Sequence, residues 1–429
     1  MNKTILKLAI PNILSNLTIP LLSFVDTSIV GHLALKEYLA AVSVGGSVFI
    51  YLYGSLIILR MATTGLSAQL FGRKDQKELN QLLMQGVGIA AVLGVLLVIF
   101  RYQLFNIGIQ LIEPSPEVVP HAEVYVGLRL IAAPATLINF VISGWFLGIQ
   151  QPKKALLLSV LVSGGNTLFS YVLVFVYNME IAGVALGSAM GQYLGLIVSI
   201  FLVIKTVGIK ELPFSLQIFK WSRIQRYFTV GTDLFFRSLI MMTVFTFFRV
   251  QYTQDHIDIA AANLLLIEMF LFMTFSVDGF ALVAESLTGA YIGEGNTLLL
   301  KKSIHYLLVW CIASGLLFSM VYVLFGNSIL SIMTNKQEIV VVAKEYLSWL
   351  YALPVVCAIP FLWDGVFIGI TKTRILILIV GIGAILFFST YFSLRDNFGN
   401  HALWLALFVF FVFRASFQTV LAKWKYKLI

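Results

Sequence analysis

Charge is scarce in this sequence. Only 11% of the 429 residues are Asp, Glu, Lys or Arg, whereas 59% are hydrophobic, and the mean hydropathy is +0.94. An average soluble domain has about 25% charged residues. The composition therefore excludes an ordinary water-soluble fold and indicates a chain that crosses a membrane many times.

Cysteine, histidine and nucleotide-binding motifs are also scarce. The two cysteines, Cys311 and Cys357, lie in apolar runs, so they form neither a disulfide framework nor a metal-ligand cluster. The five histidines are scattered along the chain, and the sequence contains no G-x-x-x-x-G-K-[ST] phosphate loop. These absences argue against an enzyme and against an ATP-driven pump. We expect no cofactor, and we expect an ion gradient to supply the energy.

Twelve apolar segments follow one another along the chain, separated by polar clusters. A helix that crosses a bilayer needs about 20 apolar residues, and each segment is long enough. The sequence therefore predicts an all-α polytopic membrane protein with twelve transmembrane helices. Their approximate bounds are 8–31, 39–71, 81–104, 122–148, 155–177, 181–204, 227–250, 259–292, 303–325, 346–370, 375–394 and 403–422.

Basic residues are concentrated in alternate breaks between these segments. Short loops rich in lysine and arginine stay in the cytoplasm. Both termini are therefore predicted to be cytoplasmic, in a multi-pass protein of the plasma (inner) membrane, with residues 113–123 outside. This topology also accounts for the net charge of +9 without nucleic acid as a partner. The opposite breaks hold only Lys36, Lys336, Lys344 and Arg395.

The longest basic break divides the chain almost in half. We predict an N-lobe (1–204, helices 1–6), a cytoplasmic linker (205–226) and a C-lobe (227–429, helices 7–12). Six spans per half give both lobes the same orientation, so we expect a pseudo-two-fold axis along the membrane normal, as in alternating-access transporters. A shift of 221 residues supports a repeat by pairing Ala40 with Ala261, Gly144 with Gly365, Phe146 with Phe367, and Gly148 with Gly369.

Asp26 is the ionisable residue that stands out in the first span. No lysine or arginine lies within two turns of it, and a charge at a helix centre costs about 2.5–3.5 kcal/mol. We therefore expect Asp26 to take up a proton or bind a small cation. The alternative is a protonated aspartate bonded only to Ser23, Thr27 or a neighbouring helix. Pro20 would let the helix bend below the carboxylate, or would form an ordinary kink.

The second half contains a different set of ionisable residues. Asp233 and Arg237 are four residues apart and can pair within one helix, while Asp278 and Glu285 are seven apart and share a helical face. With Asp364, they predict a network around Arg237 that mainly holds the C-lobe together; a charge relay is the alternative. The other intramembrane ions are expected to pair locally or to reach towards the membrane surface. They are Arg60, Arg101, Arg129, Arg249, Glu268 and Arg414.

Several short motifs together resemble the multidrug and toxic compound extrusion (MATE) transporters, and within them the DNA-damage-inducible protein F branch. The similarity covers essentially the whole chain. The motifs are PNILSN at 11–16, VDT at 25–27, GHL at 31–33, VDGFA at 277–281, AESL at 284–287 and WDGVFIG at 363–369.

The resemblance implies two six-helix lobes in a V shape, with an outward-open cleft. It also implies export of small amphipathic or cationic compounds in exchange for protons or sodium. Asp26 would be the coupling residue of the N-lobe, beside Asn166 and Ser188. Many relatives carry an aspartate at the position of Ser170, so sodium at Asp26 and Asn166 remains the alternative to a proton. Arg237 lies near the position where another branch has a glutamate, so that branch's C-lobe sodium site is not carried over.

Two classes of function fit these observations. The first is a cation-coupled exporter, and the second is a lipid-linked precursor flippase of the same broad superfamily. Flippases commonly have a strongly basic cleft or additional spans, whereas this chain ends at twelve spans, so we favour the exporter. A scaffold or an enzyme is a third class. The expected partners are amphipathic substrates and membrane lipid, and the protein is expected to be a monomer.

Overall fold

The computed structural model describes residues 1–33, 35–213, 215–251 and 257–429. These residues are mostly helical. A π-helical turn, Val172–Val176, extends α8. The α-helices are α1 Asn2–Gly31, α2 Lys36–Leu56, α3 Ile58–Arg73, α4 Gln76–Ile99, α5 Arg101–Ile112, α6 Val119–Leu130, α7 Ala133–Gly148, α8 Pro152–Tyr171, α9 Glu180–Val207, α10 Trp221–Val250, α11 Ile257–Glu294, α12 Thr297–Met333, α13 Gln337–Tyr346, α14 Trp349–Gly369, α15 Arg374–Phe398 and α16 Asn400–Trp424.

The described residues contain eleven helical spans that are long and apolar enough to cross a membrane. Helices α6 and α7 make a twelfth if they form one span, because they pass the same test together and are bent by 49° at the break. This bent pair is the predicted span 122–148. The break falls just before Pro134, which lies in the first turn of α7, where a proline leaves no additional backbone acceptor unpaired.

The predicted segments differ from the helices mainly at their ends. Helix α12 begins at Thr297, six residues before the predicted span, because polar residues can continue a helix beyond the apolar layer. Its start is capped by Asn296, whose side-chain oxygen accepts a hydrogen bond from the Leu299 N–H at 3.0 Å. The predicted span 39–71 is divided into α2 and α3 around Ile57.

The helices form two compact units. The N-unit comprises Leu14–Gly231, and the C-unit comprises Met1–Ile13 with Thr232–Ile429. Each division falls inside a helix, α1 or α10, rather than in the linker. The predicted lobe boundaries at 204 and 227 differ from these compact units and stay a prediction about the repeat.

The predicted linker is attached to helix α4 of the N-unit. The Asn80 side chain donates to the Glu211 carbonyl oxygen at 3.2 Å, and the Gln85 side chain donates to the Ile218 carbonyl oxygen at 2.7 Å. Side chains of an apolar helix thus satisfy backbone groups of an irregular segment, which would otherwise cost free energy where they are buried. The linker is therefore part of the packed N-unit.

Helix packing repeats at the offset found in the sequence. A Cβ atom added at Gly144 of α7 would collide with the carbonyl oxygen of Arg60 on α3. One added at Gly365 of α14 would collide with the carbonyl oxygen of Ala281 on α11. Both partners, like both glycines, are 221 residues apart. The same close backbone approach therefore occurs once in each unit.

Candidate functional site

Four polar side chains lie together in the interior of the N-unit. The Asn166 amide nitrogen lies 3.4 Å from Asp26 Oδ2, and its oxygen accepts hydrogen bonds from Ser170 at 2.9 Å and from Ser188 at 3.2 Å. Their exposed fractions are 5% or less. Helices α1, α8 and α9 thus bring together the residues that the resemblance identified, and their role in coupling stays a prediction.

Small residues on α9 allow this cluster to form. A Cβ atom at Gly191 would lie 2.7 Å from the Asn166 backbone nitrogen, and one at Gly187 would collide with Ser170. Because no side chain separates α8 from α9 here, the Ser188 hydroxyl reaches Asn166. Directly after α8, the backbone widens into the π-helical turn Val172–Val176, a feature frequent at functional sites.

The carboxylate of Asp26 has an open oxygen. Within the described part of the chain, Oδ1 has no hydrogen-bond partner, and the 3.4 Å contact of Oδ2 is long for a hydrogen bond. Of the two residues in the alternative interpretation, Thr27 is exposed, and the side chain of Ser23 lies outside the described residues. Oδ1 is therefore a position where a proton or a small cation can bind without breaking a contact.

No classical metal cluster is found in the described ranges, since no group of three or more His, Cys, Asp or Glu side chains could hold a metal ion. Sodium would have to use the oxygens of Asp26 and Asn166 together with the two serine hydroxyls. The Asn166 oxygen already accepts two hydrogen bonds. These bonds would have to rearrange before that oxygen could coordinate a cation.

Arg129 is a charged neighbour of Asp26 that the sequence did not place there. It lies on α6, and its charge interacts with the Asp26 carboxylate. The guanidinium donates to the Tyr125 hydroxyl and lies 4.7 Å from the ring centroid of Phe49. Local pairing, as expected, therefore occurs with Tyr125, but contact along α6 alone does not describe the environment of Arg129.

The C-unit contains a tightly bonded ion network around Asp364. Its Oδ2 accepts from Arg237 and from Arg414 at 2.6 Å, and its Oδ1 accepts from Gln418 at 2.7 Å. The Arg414 guanidinium also lies 5.1 Å from the ring centroid of Phe410. Two guanidinium groups thus share one buried carboxylate, and both carboxylate oxygens are bonded.

Sequence reasoning missed two members of this network. Arg414 was expected to pair locally or to reach towards the membrane surface, but it is fully buried and bonded to Asp364 on another helix. A helix repeats every 3.6 residues, so Arg414 and Gln418, four residues apart, form a polar stripe on the apolar helix α16. That stripe was the available signal.

The remaining predicted residues of the C-lobe network have other surroundings. Asp233 accepts a hydrogen bond from Thr373 at 2.7 Å, and the ion pairs of the described residues do not include one between Asp233 and Arg237. The predicted pair within α10 is therefore wrong, because the two side chains turn to different helices. Glu285 is buried and Asp278 half-buried on α11, and their membership of the network stays a prediction.

Pro20 lies inside α1, which is helical throughout Asn2–Gly31. It precedes Asp26 by six residues, on the same side of the division between the two units. Bending of α1 at this position stays a prediction.

Comparison with known proteins identifies the family. The MatE family model matches residues 11–172 and 234–390, once in each half. The chain is 34% identical to DNA damage-inducible protein F of Escherichia coli over 96% of this chain and 90% of that protein. It is 23% identical to the probable multidrug resistance protein NorM of Bacillus cereus over 97% of this chain and 94% of that protein.

A solved structure supports the same assignment at the level of the fold. It is described as the outward-facing conformation of a multidrug resistance MATE family transporter, and it superposes with a TM-score of 0.88. The two chains are 20% identical, and the match covers 99% of this chain and 96% of the other. The predicted fold class is thereby confirmed, and the chain belongs to the MatE family of membrane transporters, as the sequence motifs predicted.

Proposed function

We propose that this protein is a secondary antiporter that exports small amphipathic or cationic compounds in exchange for protons. The observation that carries the proposal is the buried Asp26 carboxyl group, one oxygen of which has no partner in the described residues. The relatives described as probable multidrug resistance proteins support the substrate class.

A proton fits this site with fewer changes than sodium. It needs only Oδ1 of Asp26, whereas hard metal cations require several oxygen ligands. The Ser170 and Ser188 hydroxyls both donate to the Asn166 oxygen and would have to reorient to coordinate sodium. We therefore propose proton coupling, and sodium coupling at Asp26 and Asn166 remains the competing outcome of the test.

Protonation of Asp26 would drive exchange through charge. Loss of the carboxylate charge weakens the attraction to a cationic substrate, and the first helix can then repack about Pro20. By linkage, a substrate that prefers the ionised carboxylate lowers the proton affinity by the same factor by which the proton lowers substrate affinity. Asn166 and Ser188 would orient the carboxyl group.

The proposal includes the setting of the transporter. The protein would act as a monomer in the inner membrane, without cofactor or enzymatic activity, and with both termini cytoplasmic. A cysteine introduced near Lys220 should then be labelled only from the cytoplasmic side. Labelling from outside intact cells would contradict the topology.

The test is substrate efflux from proteoliposomes under a proton gradient and under a sodium gradient, imposed separately. Asp26→Asn imitates the neutral carboxyl group, so it should fold normally and lose efflux driven by the proton gradient. Asp396→Asn is the matched control, because that side chain is 86% exposed. Undiminished proton-driven efflux in Asp26→Asn would refute the assignment, while efflux driven by sodium alone would retain the residue and change the ion.

A further inference from the structure

We infer that Arg129 is an internal counter-cation for Asp26, which neutralises the ionised carboxylate between transport cycles and sets the pH range in which the site exchanges its proton. This inference rests on the proposed coupling role of Asp26. It assigns a positioning role to a residue of α6, outside the cluster formed by α1, α8 and α9.

The outer part of α1 packs against α6 in one hydrophobic core. This core contains Ile29 beside Asp26, Phe49 of α2, and Tyr125 and Val126 beside Arg129. Helices α2 and α6 come close because Gly45 has no side chain; a Cβ atom there would lie 2.5 Å from the Tyr125 ring. The three helices that surround the guanidinium are therefore held in a fixed arrangement.

The immediate contacts of Arg129 are neutral groups. They are the Tyr125 hydroxyl and the face of the Phe49 ring, and no described carboxylate forms an ion pair with Arg129 within 4.0 Å. The charge of Arg129 interacts with Asp26 and with the hydroxyl groups of Tyr125 and Tyr53. A guanidinium does not lose its proton in proteins, so Asp26 faces a permanent positive charge beyond ion-pair distance.

This separation gives the site a balance that neither extreme provides. Burial alone favours the protonated carboxyl group, which would then release no proton in the neutral range. A direct ion pair, as between Arg414 and Asp364, holds a carboxylate ionised. Because Tyr125 and Phe49 hold Arg129 close to Asp26 without a direct pair, both states of the carboxyl group become accessible.

The other groups that face Asp26 do not supply a competing charge. Helix α8 contributes the Asn166 amide, and α6 contributes the Tyr125 hydroxyl. Tyr53 of α2 and Tyr193 of α9 interact with each other beside Arg129. Phenols are neutral near pH 7, so Arg129 is the permanent charge that acts on Asp26 within the described residues.

The experiment is a pH titration of Asp26 in purified protein by infrared spectroscopy. The C=O band of the protonated carboxyl group is assigned by its loss in Asp26→Asn. A fixed cation stabilises the carboxylate, so Arg129→Gln should keep Asp26 protonated to higher pH and shift the midpoint upward by about 1–3 pH units. Arg129→Lys retains the charge and should restore most of the wild-type midpoint.

Two further variants separate the electrostatic role from a structural one. Arg101→Gln makes the same change of charge at an arginine stacked on Tyr102 of α5, and it should leave the midpoint unchanged. Tyr125→Phe removes the hydroxyl that holds Arg129, so the guanidinium can pair directly with Asp26. The midpoint should then move to lower pH, opposite to the shift in Arg129→Gln.

Unchanged midpoints in Arg129→Gln and Tyr125→Phe would overturn the inference. If Arg129→Gln does not yield folded protein, the shift in Tyr125→Phe and the midpoint of Arg129→Lys decide it. The titration does not depend on transport. Proton-driven efflux that persists in Asp26→Asn would therefore refute the proposed function, whereas the infrared midpoints would still show whether Arg129 controls the protonation of Asp26.

Discussion

The two halves of this protein treat a buried carboxylate in opposite ways. In the N-unit, Asp26 has one long contact, to Asn166, and an open oxygen. In the C-unit, both oxygens of Asp364 are bonded, and two guanidinium groups, from Arg237 and Arg414, contact it. The first arrangement can gain and lose a cation at little cost, whereas the second is stable only when all its members are present.

This difference lies on a shared framework of helix packing. A Cβ atom at Gly148 would lie 2.8 Å from the carbonyl oxygen of Thr64. Gly369, 221 residues later, makes the corresponding close approach to the carbonyl oxygen of Glu285. The backbone contacts of the repeat were therefore retained in both units, while the side chains between them diverged.

The repeat places aromatic residues where the N-unit has its polar cluster. In the C-unit, the ring centroid of Phe247 lies 6.0 Å from that of Phe387 and 5.2 Å from that of Tyr391. Rings at these distances stabilise each other by edge-to-face contact. We conclude that the carboxyl site has no counterpart in the C-unit. At the offset of 221, the correspondence is Phe247 for Asp26, Phe387 for Asn166 and Tyr391 for Ser170.

The largest effect is expected from Asp364→Asn. The change leaves two buried guanidinium groups without their carboxylate, and breaking a buried ion pair costs about 3–5 kcal/mol. We expect a severe loss of folded protein, measured by size-exclusion chromatography after extraction. Asp26→Asn is the matched change in the other half and should retain a near-normal yield. Equal yields for the two variants would remove the contrast between the halves.

A smaller loss is expected from Arg237→Ala. Asp364 keeps its bonds to Arg414 and Gln418, so the cost should fall to about 1.5–3 kcal/mol, the range for a hydrogen bond to a charged group. The amount of folded protein should decrease more than turnover per molecule does. Arg249→Ala is the control, since its ion pair is half exposed. A normal yield without transport would instead make the C-unit network part of the mechanism.

The sequence predicted the fold well because the bilayer imposes a length on every span. Twelve apolar segments follow from that length alone, and their order gives the helices. The ends were less certain: α12 extends beyond its apolar segment, and the bend between α6 and α7 depends on packing around Pro134. Composition does not report where a helix continues outside the membrane.

The candidate site was predictable only in part. Asp26 could be found because a carboxyl group is costly in an apolar span, whereas Asn166 and the serines were identified through family resemblance. Arg129 could not be assigned to Asp26, since their proximity depends on how α1, α2 and α6 pack. Arg414 was missed for the same reason, because its partner lies 50 residues away in the sequence.

An intermediate effect is expected from Gly187→Ala. The added methyl group would collide with Ser170, and overpacking of an interior costs about 1–3 kcal/mol. Because Ser170 bonds Asn166, proton-driven efflux should fall further than the yield does. Gly383→Ala in the C-unit is the control, since its methyl group would lie 3.0 Å from the Phe410 ring. That variant should lose stability without a change in the pH dependence of efflux.

The smallest effect is expected from Ser188→Ala. Its hydroxyl makes one 3.2 Å hydrogen bond to the Asn166 oxygen, and a net contribution of about 0.5–1.5 kcal/mol is typical. Asn166 keeps its bond from Ser170, so the protein should fold and proton-driven efflux should continue at a reduced rate.

The control for this variant is Ser199→Ala, on the same helix. Ser199 is also fully buried, but its hydroxyl bonds the Leu196 carbonyl of its own helix, so its loss should not affect the pH profile. A shift in the profile of Ser188→Ala alone would show that the orientation of Asn166 affects the proton affinity of Asp26. Identical profiles for the two variants would restrict control of Asp26 to Arg129 and Asn166, and would make Ser188 a packing residue.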